Sequence, residues 1–68
     1  MSDRHILDVV SGLVPKGSRV LDLGCGNGAL LAHLRDAHQC TGYGVELDDG
    51  KVLECVQRGV NVIQRNLE

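Results

Sequence analysis

A cluster of three glycines within five residues constrains the fold of this chain more than any other feature. Residues 24–28 read Gly-Cys-Gly-Asn-Gly and follow directly on a short run rich in branched residues, Arg19–Leu23. A glycine turn between a strand and a helix lets the chain bend sharply and lets a ligand approach the backbone. The free N–H groups at the start of the helix favour an anionic group. The cluster therefore predicts a strand–turn–helix unit that binds a nucleotide-like ligand; the alternative is a tight turn without a ligand.

The chain before the cluster has the pattern of a helix and a strand. Apolar residues recur at three-and-four spacing, which predicts a helix with one inward stripe. That stripe consists of Ile6, Val9, Val10, Leu13 and Val14. Ser2 or Asp3 is expected to cap the helix, and residues 15–17 (Pro-Lys-Gly) to end it. Arg19–Leu23 is then predicted to be a buried strand.

Two more helix–strand units follow the cluster. Residues 29–37 are predicted to be a helix with Leu30, Leu31 and Leu34 on one face, and residues 41–47 a strand. Asp48 and Asp49 suit a helix N-cap, and Gly59 suits the end of that helix. Its expected inward residues are Val52, Leu53 and Val56, and residues 60–64 form the last strand. Strands alternating with helices predict an α/β fold, a three-stranded parallel sheet of order 3-2-1 with flanking helices.

Composition argues against several classes of function. The three cysteines are evenly spread without a CxxC pair, so we expect free, mostly buried thiols and no metal site. The formal net charge is −2 and Tyr43 is the single aromatic residue, which disfavours nucleic-acid binding. Apolar runs are far too short for a membrane span, and the N-terminus lacks a signal-peptide pattern. We therefore expect a cytoplasmic protein.

Two carboxylates near the cluster bear on which nucleotide is bound. Gly24, Gly26 and Ala29 also fit the dinucleotide fingerprint, and Glu46 lies where an acid would hold ribose hydroxyls. Asp22 partly distinguishes a dinucleotide from S-adenosylmethionine. A carboxylate before the turn repels a pyrophosphate but suits the ammonium or sulfonium of S-adenosylmethionine. Structural alternatives remain for both acids: Asp22 capping the turn, and Glu46 as a solvated acid at a strand end.

Two motifs resemble those of class I methyltransferases. Residues 20–28 (Val-Leu-Asp-Leu-Gly-Cys-Gly-Asn-Gly) look like the first motif of these enzymes, and residues 42–46 look like their second strand with its ribose-binding acid. More narrowly, residues 19–34, 42–46 and 58–64 are similar to the MetW family of methionine biosynthesis proteins. The resemblance covers nearly the whole chain. It implies that residues 1–68 form the N-terminal, cofactor-binding half of a domain whose acceptor-selecting half follows a fourth strand.

The resemblance also implies roles for individual residues. The glycine turn would line the methionine part of S-adenosylmethionine, Asp22 would face its amino group, Glu46 its ribose and Leu47 its adenine. After the third strand the family usually has Gly and then Asp; Arg65 and Asn66 stand there in this chain. Asn66 could accept a hydrogen bond from the adenine amino group. The expected cofactor-binding residues are thus Asp22, Gly24, Cys25, Gly26, Asn27, Gly28, Glu46, Leu47 and Asn66.

Partners and alternative functions complete the expectations. MetW-like proteins are associated with a homoserine O-acyltransferase, and the open edge of the first strand suits a homodimer. A non-catalytic interaction module and an NAD- or FAD-binding module remain as alternatives. His5, His33 and His38 could serve in acid–base chemistry by residue type alone, although a solvated helix face explains His33 and His38 equally well.

Overall fold

Three helices and three strands alternate along the chain. The computed structural model describes the backbone of residues 3–68 and the side chains of residues 7–68. Capping by Ser2 and the side chain of Ile6 therefore lie outside the described part. The elements are α1 (Asp3–Leu13), β1 (Arg19–Leu23), α2 (Ala29–His38), β2 (Thr41–Glu46), α3 (Asp49–Gln57) and β3 (Val62–Gln64). Their order is the predicted one, and the bounds differ from the prediction by one or two residues.

The strands form one parallel sheet with β2 in the centre, which confirms the predicted α/β fold and strand order. Leu21 pairs with Tyr43 in register, and Val45 pairs with Ile63. The connections from β1 to β2 and from β2 to β3 run in the same direction across the sheet. Because parallel crossovers are right-handed almost without exception, α2 and α3 lie on the same face.

The core lies between that face and the two helices. It contains residues from the glycine turn, from both helices and from the segment before β3, with two half-buried valines of the sheet packed against it. Its members are Cys25, Leu31, Ala32, Cys55 and Val60, with Val20 and Val62 against them. Leu34 of α2 is also fully buried. The expected burial of Leu31 and Leu34 is confirmed, whereas Leu30 is only half-buried.

The prediction of a buried β1 is wrong for one of its faces. Leu21 and Leu23 are 65% and 62% exposed. The side chains of Tyr43 and Ile63, on neighbouring strands, are also exposed. The physical reason is the common direction of the crossovers, which leaves the second face of the sheet without a helix in the described part of the chain. We call this surface, formed by Leu21, Leu23, Tyr43 and Ile63, the open face.

The predicted inward stripe of α1 is also partly wrong. Val9 and Leu13 are 54% and 79% exposed. The side of α1 that is turned inward carries Leu7, Val10 and Ser11, and Val14 follows on the same side just after the helix. Val10 and Val14, both half-buried, are the described members of the predicted stripe that do lie inward. Ser11 is buried and its Oγ lies 3.3 Å from Nε2 of His33 on α2. Because Ser11 is polar, counting apolar residues in the sequence did not identify this side of the helix as the inward one.

Helix α3 shows a similar correction. Leu53 and Val56, which were expected to face inward, are exposed, whereas Cys55 is fully buried and Val52 half-buried. A free cysteine behaves as a small hydrophobic residue in a core. The inward side of this short helix is therefore defined by Val52 and Cys55. Asp48 caps the helix as predicted, because its side chain accepts a hydrogen bond from the Lys51 N–H at 2.9 Å.

Candidate functional site

The glycine turn and the end of β2 meet at the same edge of the sheet. The turn begins where β1 ends, and Glu46 closes the neighbouring β2, so parallel pairing brings them together. The N–H groups of Gly24 and Cys25 both donate to the carbonyl of Val45, at 2.8 and 3.1 Å. These bonds continue the sheet into the turn and hold its first half against β2.

Left-handed backbone shapes the rest of the turn. Gly26 and Gly28 have φ angles of +59° and +81°, a region that side-chain-bearing residues rarely adopt. A Cβ on Gly28 would lie 2.9 Å from the Sγ of Cys55, so this glycine also lets α2 start close to α3. A Cβ on Gly26 would meet nothing within 4 Å, so open space lies above it. The Oδ1 atom of Asn27 accepts from the Ala29 N–H at 3.0 Å and covers the start of α2.

Glu46 is bonded to the turn and is not merely a solvated acid. Its Oε1 accepts from the Gly26 N–H at 2.8 Å. Its Oε2 accepts from the N–H groups of Leu47 and Asp48 at 3.0 and 3.1 Å. Hydrogen bonds to the charged form, that from Asp48 first and that from Gly26 next, lower the pKa of Glu46 below its ordinary value. The carboxylate thus links β2, the glycine turn and the start of α3.

Asp22 sits beside the turn without a partner. It pairs in register with Gly44, on the face that packs against the helices, and it is half-buried. Its carboxylate makes no hydrogen bond or ion pair with any residue in the described part, so it does not cap the turn there. Burial raises the pKa of Asp22 above its ordinary value. An unpaired, partly desolvated carboxylate is suited to a cationic group of a ligand.

The sequence patterns did not predict that the side chain of Cys25, in the turn, packs against Cys55 of α3 and Gly44 of β2. The Sγ atoms of Cys25 and Cys55 lie 3.8 Å apart, and both thiols are free and buried, as expected. A Cβ on Gly44 would collide with the side chain of Cys25, so this glycine makes room for the thiol. Burial, followed by contact with Cys55, raises the pKa of Cys25. An isolated glycine inside a predicted strand signals such a close approach.

The remaining predicted site residues lie at the outer end of the same edge. Leu47 is exposed, and its carbonyl accepts from Nε2 of Gln64 at 2.9 Å. The Arg65 N–H donates to the Glu46 carbonyl at 3.1 Å, so the residues after β3 start beside the end of β2. The Oδ1 of Asn66 accepts from the Glu68 N–H at 3.0 Å. Asn66 therefore bonds to the backbone two residues further on and makes no hydrogen bond with the glycine turn in the described residues.

Other candidate groups lie elsewhere. His33 contacts Ser11 and lies 3.8 Å from a carboxylate oxygen of Asp8, so it belongs to the packing of α1 on α2. Two concave regions, of about 120 and 430 Å³, lie towards the amino ends of the strands rather than at the glycine turn. Among the described residues, no three His, Cys, Asp or Glu side chains are arranged to hold a metal ion. The candidate site is thus an open shelf lined by two carboxylates and backbone N–H groups.

Comparison with known proteins gives a consistent family assignment. The family model described as methionine biosynthesis protein MetW matches residues 4–68. The chain is 44% identical over 63 residues to a bifunctional methionine biosynthesis protein MetXA/MetW of Rhodopirellula baltica, covering 81% of this chain and 10% of that protein. It is 46% identical over 44 residues to a probable tRNA (uracil-O(2)-)-methyltransferase of Caenorhabditis briggsae, covering 65% of this chain and 8% of that protein.

Solved structures share the fold. A TehB-like SAM-dependent methyltransferase from Corynebacterium glutamicum superposes with a TM-score of 0.77 at 22% identity, covering 90% of this chain and 34% of that one. A SAM-dependent methyltransferase from Geobacter sulfurreducens, in complex with S-adenosyl-L-homocysteine, superposes with a TM-score of 0.69 at 26% identity, covering 96% of this chain and 30% of that one.

The chain spans about a tenth of the length of those curated relatives and about a third of those structures. None of the helices in the described range is long and apolar enough to span a membrane. The match over residues 4–68, together with the shared fold, shows that the chain belongs to the MetW family of methionine biosynthesis proteins and has the fold of SAM-dependent methyltransferases.

Proposed function

We propose that the chain binds S-adenosylmethionine and S-adenosylhomocysteine at the glycine turn, as the cofactor-binding part of a methyltransferase-like protein of methionine biosynthesis. The observation that carries the proposal is the unpaired carboxylate of Asp22 beside a turn that presents open space above Gly26. The complex of the Geobacter sulfurreducens neighbour with S-adenosylhomocysteine supports it.

The residues of the shelf match the parts of this ligand. Asp22 would hold the ammonium group. The carboxylate would be bound by the N–H of Asn27, the one N–H of residues 24–28 that donates to no acceptor among the described residues. Glu46 would take the ribose hydroxyls, which requires its carboxylate to share or exchange the hydrogen bonds that it now receives from the backbone. Leu47, exposed at the end of β2, would lie against the adenine, and Asn66 would approach the adenine amino group once its bond to Glu68 opens.

The chemistry of such a site is mostly positional. The bound sulfonium supplies an activated methyl group, so the protein contributes orientation rather than acid–base groups. In the described part of the chain, Asp22 would hold the amino acid part of the ligand and Glu46 its ribose, on either side of the turn. We further propose that residues 1–68 are the N-terminal, cofactor-binding part of a larger domain, because the chain covers only about a third of the structures that share this fold.

A dinucleotide ligand is less consistent with the site. The pyrophosphate of NAD or FAD would lie at the turn, close to the ionised Asp22. Two like charges in a partly desolvated setting repel strongly. No group in the described residues neutralises Asp22, so this alternative is disfavoured.

A second role, binding a protein partner, is favoured by the open face. Four large apolar side chains are exposed there (Leu21, Leu23, Tyr43 and Ile63), and β1 is an edge strand in the described sheet. Exposed apolar patches and free strand edges mark association surfaces. The Rhodopirellula baltica relative, named for both MetXA and MetW, supports a homoserine O-acyltransferase as the partner. A second copy pairing along β1 is the other occupant that we propose.

Titration calorimetry with S-adenosylhomocysteine tests the principal proposal. We expect binding by the chain, and affinity at least tenfold lower for Glu46→Ala. Glu54→Ala is the matched control, because this exposed glutamate of α3 makes no side-chain hydrogen bond to the turn in the described residues and should leave affinity unchanged. A chain that binds NADH and ignores S-adenosylhomocysteine would contradict the proposal. Sedimentation with and without the acyltransferase tests the second role, and Leu21→Lys should weaken any association through the open face.

A further inference from the structure

The backbone on both sides of Gly26 is held by side chains from two different elements. The peptide that precedes Gly26 donates its N–H to Glu46 at the end of β2, at 2.8 Å. The peptide that follows Gly26 accepts, at its carbonyl oxygen, a hydrogen bond from the thiol of Cys55 on α3 at 3.2 Å. The left-handed glycine between them has little resistance of its own to rotation of either peptide, because it lacks a side chain. The preceding peptide is fixed on its other side as well, because the Cys25 carbonyl accepts from the Gly28 N–H at 3.2 Å. In the following peptide, Cys55 makes the closest contact with the carbonyl oxygen.

The contact with Cys55 determines the direction of one N–H group. The chain contains no cis peptide bond in its described part, and in a trans peptide the C=O and N–H point in opposite directions. The Gly26 carbonyl points inward to Cys55, a fully buried residue. The N–H of Asn27, in the same peptide, must then point outward from the core. It donates to no residue within the described part of the chain, so it remains available to a ligand.

Both thiols lie close to the Gly26 carbonyl oxygen, which can only accept a hydrogen bond. Cys55 makes the shorter contact, at 3.2 Å, and the Sγ of Cys25 lies 3.7 Å from the same oxygen and 3.8 Å from the Sγ of Cys55. Burial favours the neutral form of Cys25 by raising its pKa, which keeps this donor protonated. A Cβ on Gly28 would come within 2.9 Å of the Cys55 sulfur, so the thiol sits in a tightly bounded place under the turn.

We propose that Cys55 is a positioning residue for the cofactor: its thiol holds the Gly26–Asn27 peptide so that the Asn27 N–H faces the carboxylate of the ligand's amino acid part. The proposal rests on the function proposed above and adds to it a residue on α3 that lies beneath the turn rather than in it. Cys55 does not touch the ligand. It acts through the orientation of one peptide.

Two ligands separate this role from a general structural one. S-adenosylhomocysteine carries the carboxylate, and 5′-methylthioadenosine retains the adenosine and thioether but lacks the amino acid part. Loss of one neutral hydrogen bond corresponds to roughly a three- to tenfold change in affinity. Cys55→Ala should therefore weaken binding of S-adenosylhomocysteine by that factor and leave binding of 5′-methylthioadenosine unchanged. Cys55→Ser keeps a donor and should restore most of the affinity.

Cys40→Ala is the matched control. Cys40 is also buried, but its thiol lies near the carbonyls of Pro15 and His38, away from the turn. It should change the affinity for neither ligand. Equal weakening of both ligands by Cys55→Ala, or a Cys55→Ser variant as weak as Cys55→Ala, would overturn the positioning role while leaving the binding proposal intact.

A measurement that needs no ligand distinguishes failure of the positioning role of Cys55 from failure of the proposed cofactor binding. If the chain binds neither ligand, the proposed function fails, and the carbonyl ¹³C chemical shift of Gly26 still tests the hydrogen bond. We expect that shift to change in Cys55→Ala and not in Cys40→Ala. An unchanged shift in Cys55→Ala would refute the role of Cys55 irrespective of cofactor binding.

Discussion

The Oε1 atom of Glu46 accepts a hydrogen bond of 2.8 Å from the N–H of Gly26, 20 residues earlier in the chain. This bond joins the two sequence motifs that were expected to share a ligand. The acid proposed to take the ribose is thus itself bonded to the backbone of the glycine turn. Binding of ribose hydroxyls by Glu46 would therefore require its carboxylate to share or exchange these hydrogen bonds.

Glu46→Gln should make stability less dependent on pH. The folded pKa of Glu46 is lowered, so its contribution to the free energy of unfolding is present above the unfolded value of 4.5 and is lost as pH falls through the folded pKa. We expect the wild type to be more stable than Glu46→Gln at neutral pH, with the gap closing in acid. Urea unfolding between pH 3 and 7 measures this difference in the free energy of unfolding. A difference that does not change with pH would contradict this account.

Asp22→Asn should change the stability at neutral pH in the opposite direction. Burial raises the folded pKa of Asp22 above 3.8, so the ionised carboxylate disfavours the fold at neutral pH and this cost disappears as pH falls through the folded pKa towards the unfolded one. We expect Asp22→Asn to stabilise the chain at pH 7, with the gain shrinking in acid, while affinity for S-adenosylhomocysteine falls. Thermal unfolding and calorimetry of the same variant check both effects. A variant that loses stability at pH 7 would show that Asp22 has a structural partner.

Gly44→Ala should destabilise the fold by about 1–3 kcal/mol, the usual cost of overpacking a core. The new Cβ would collide with the Cys25 side chain and would lie 3.0 Å from Cδ1 of Leu31. Gly12→Ala is the control, since nothing lies within 4 Å of a Cβ there and alanine is the better helix former. Chemical unfolding should show loss for the first variant and a small gain for the second. Equal effects would mean that Gly44 is not a point of close approach.

Gly26→Val should separate binding from folding. A Cβ there meets nothing within 4 Å, so the free energy of unfolding should fall only by the strain of a branched residue in the left-handed region, about 1–3 kcal/mol. The valine side chain should meanwhile fill the space above the turn. Leu34→Ala, at a fully buried position, should cost about 2–5 kcal/mol. Leu21→Ala should cost little, because that side chain is exposed. Calorimetry should show binding abolished in Gly26→Val; intact binding would move the site away from this turn.

Local patterns in the sequence were enough to predict the element order, the parallel sheet and the glycine turn. Helical spacing, branched runs and glycines act over a few residues, so they can be recognised without knowledge of distant neighbours. The placement of Asp22 and Glu46 at one edge also followed, because the ends of adjacent parallel strands must meet. The helix cap at Asp48 was predictable for the same local reason.

Only the tertiary structure determined which faces of the helices and of the sheet are covered, and which side chains pack beneath the glycine turn. Val9, Leu13, Leu53 and Val56 fit helical stripes, yet all are exposed, because burial depends on which element packs against a helix. Leu21 and Leu23 are exposed because both crossovers place their helices on the opposite face. The contact between Cys25 and Cys55 spans 30 residues, and its closeness depends on Gly44 having no side chain. Such contacts arise only when β1, β2 and α3 pack together, so no short window of sequence contains them.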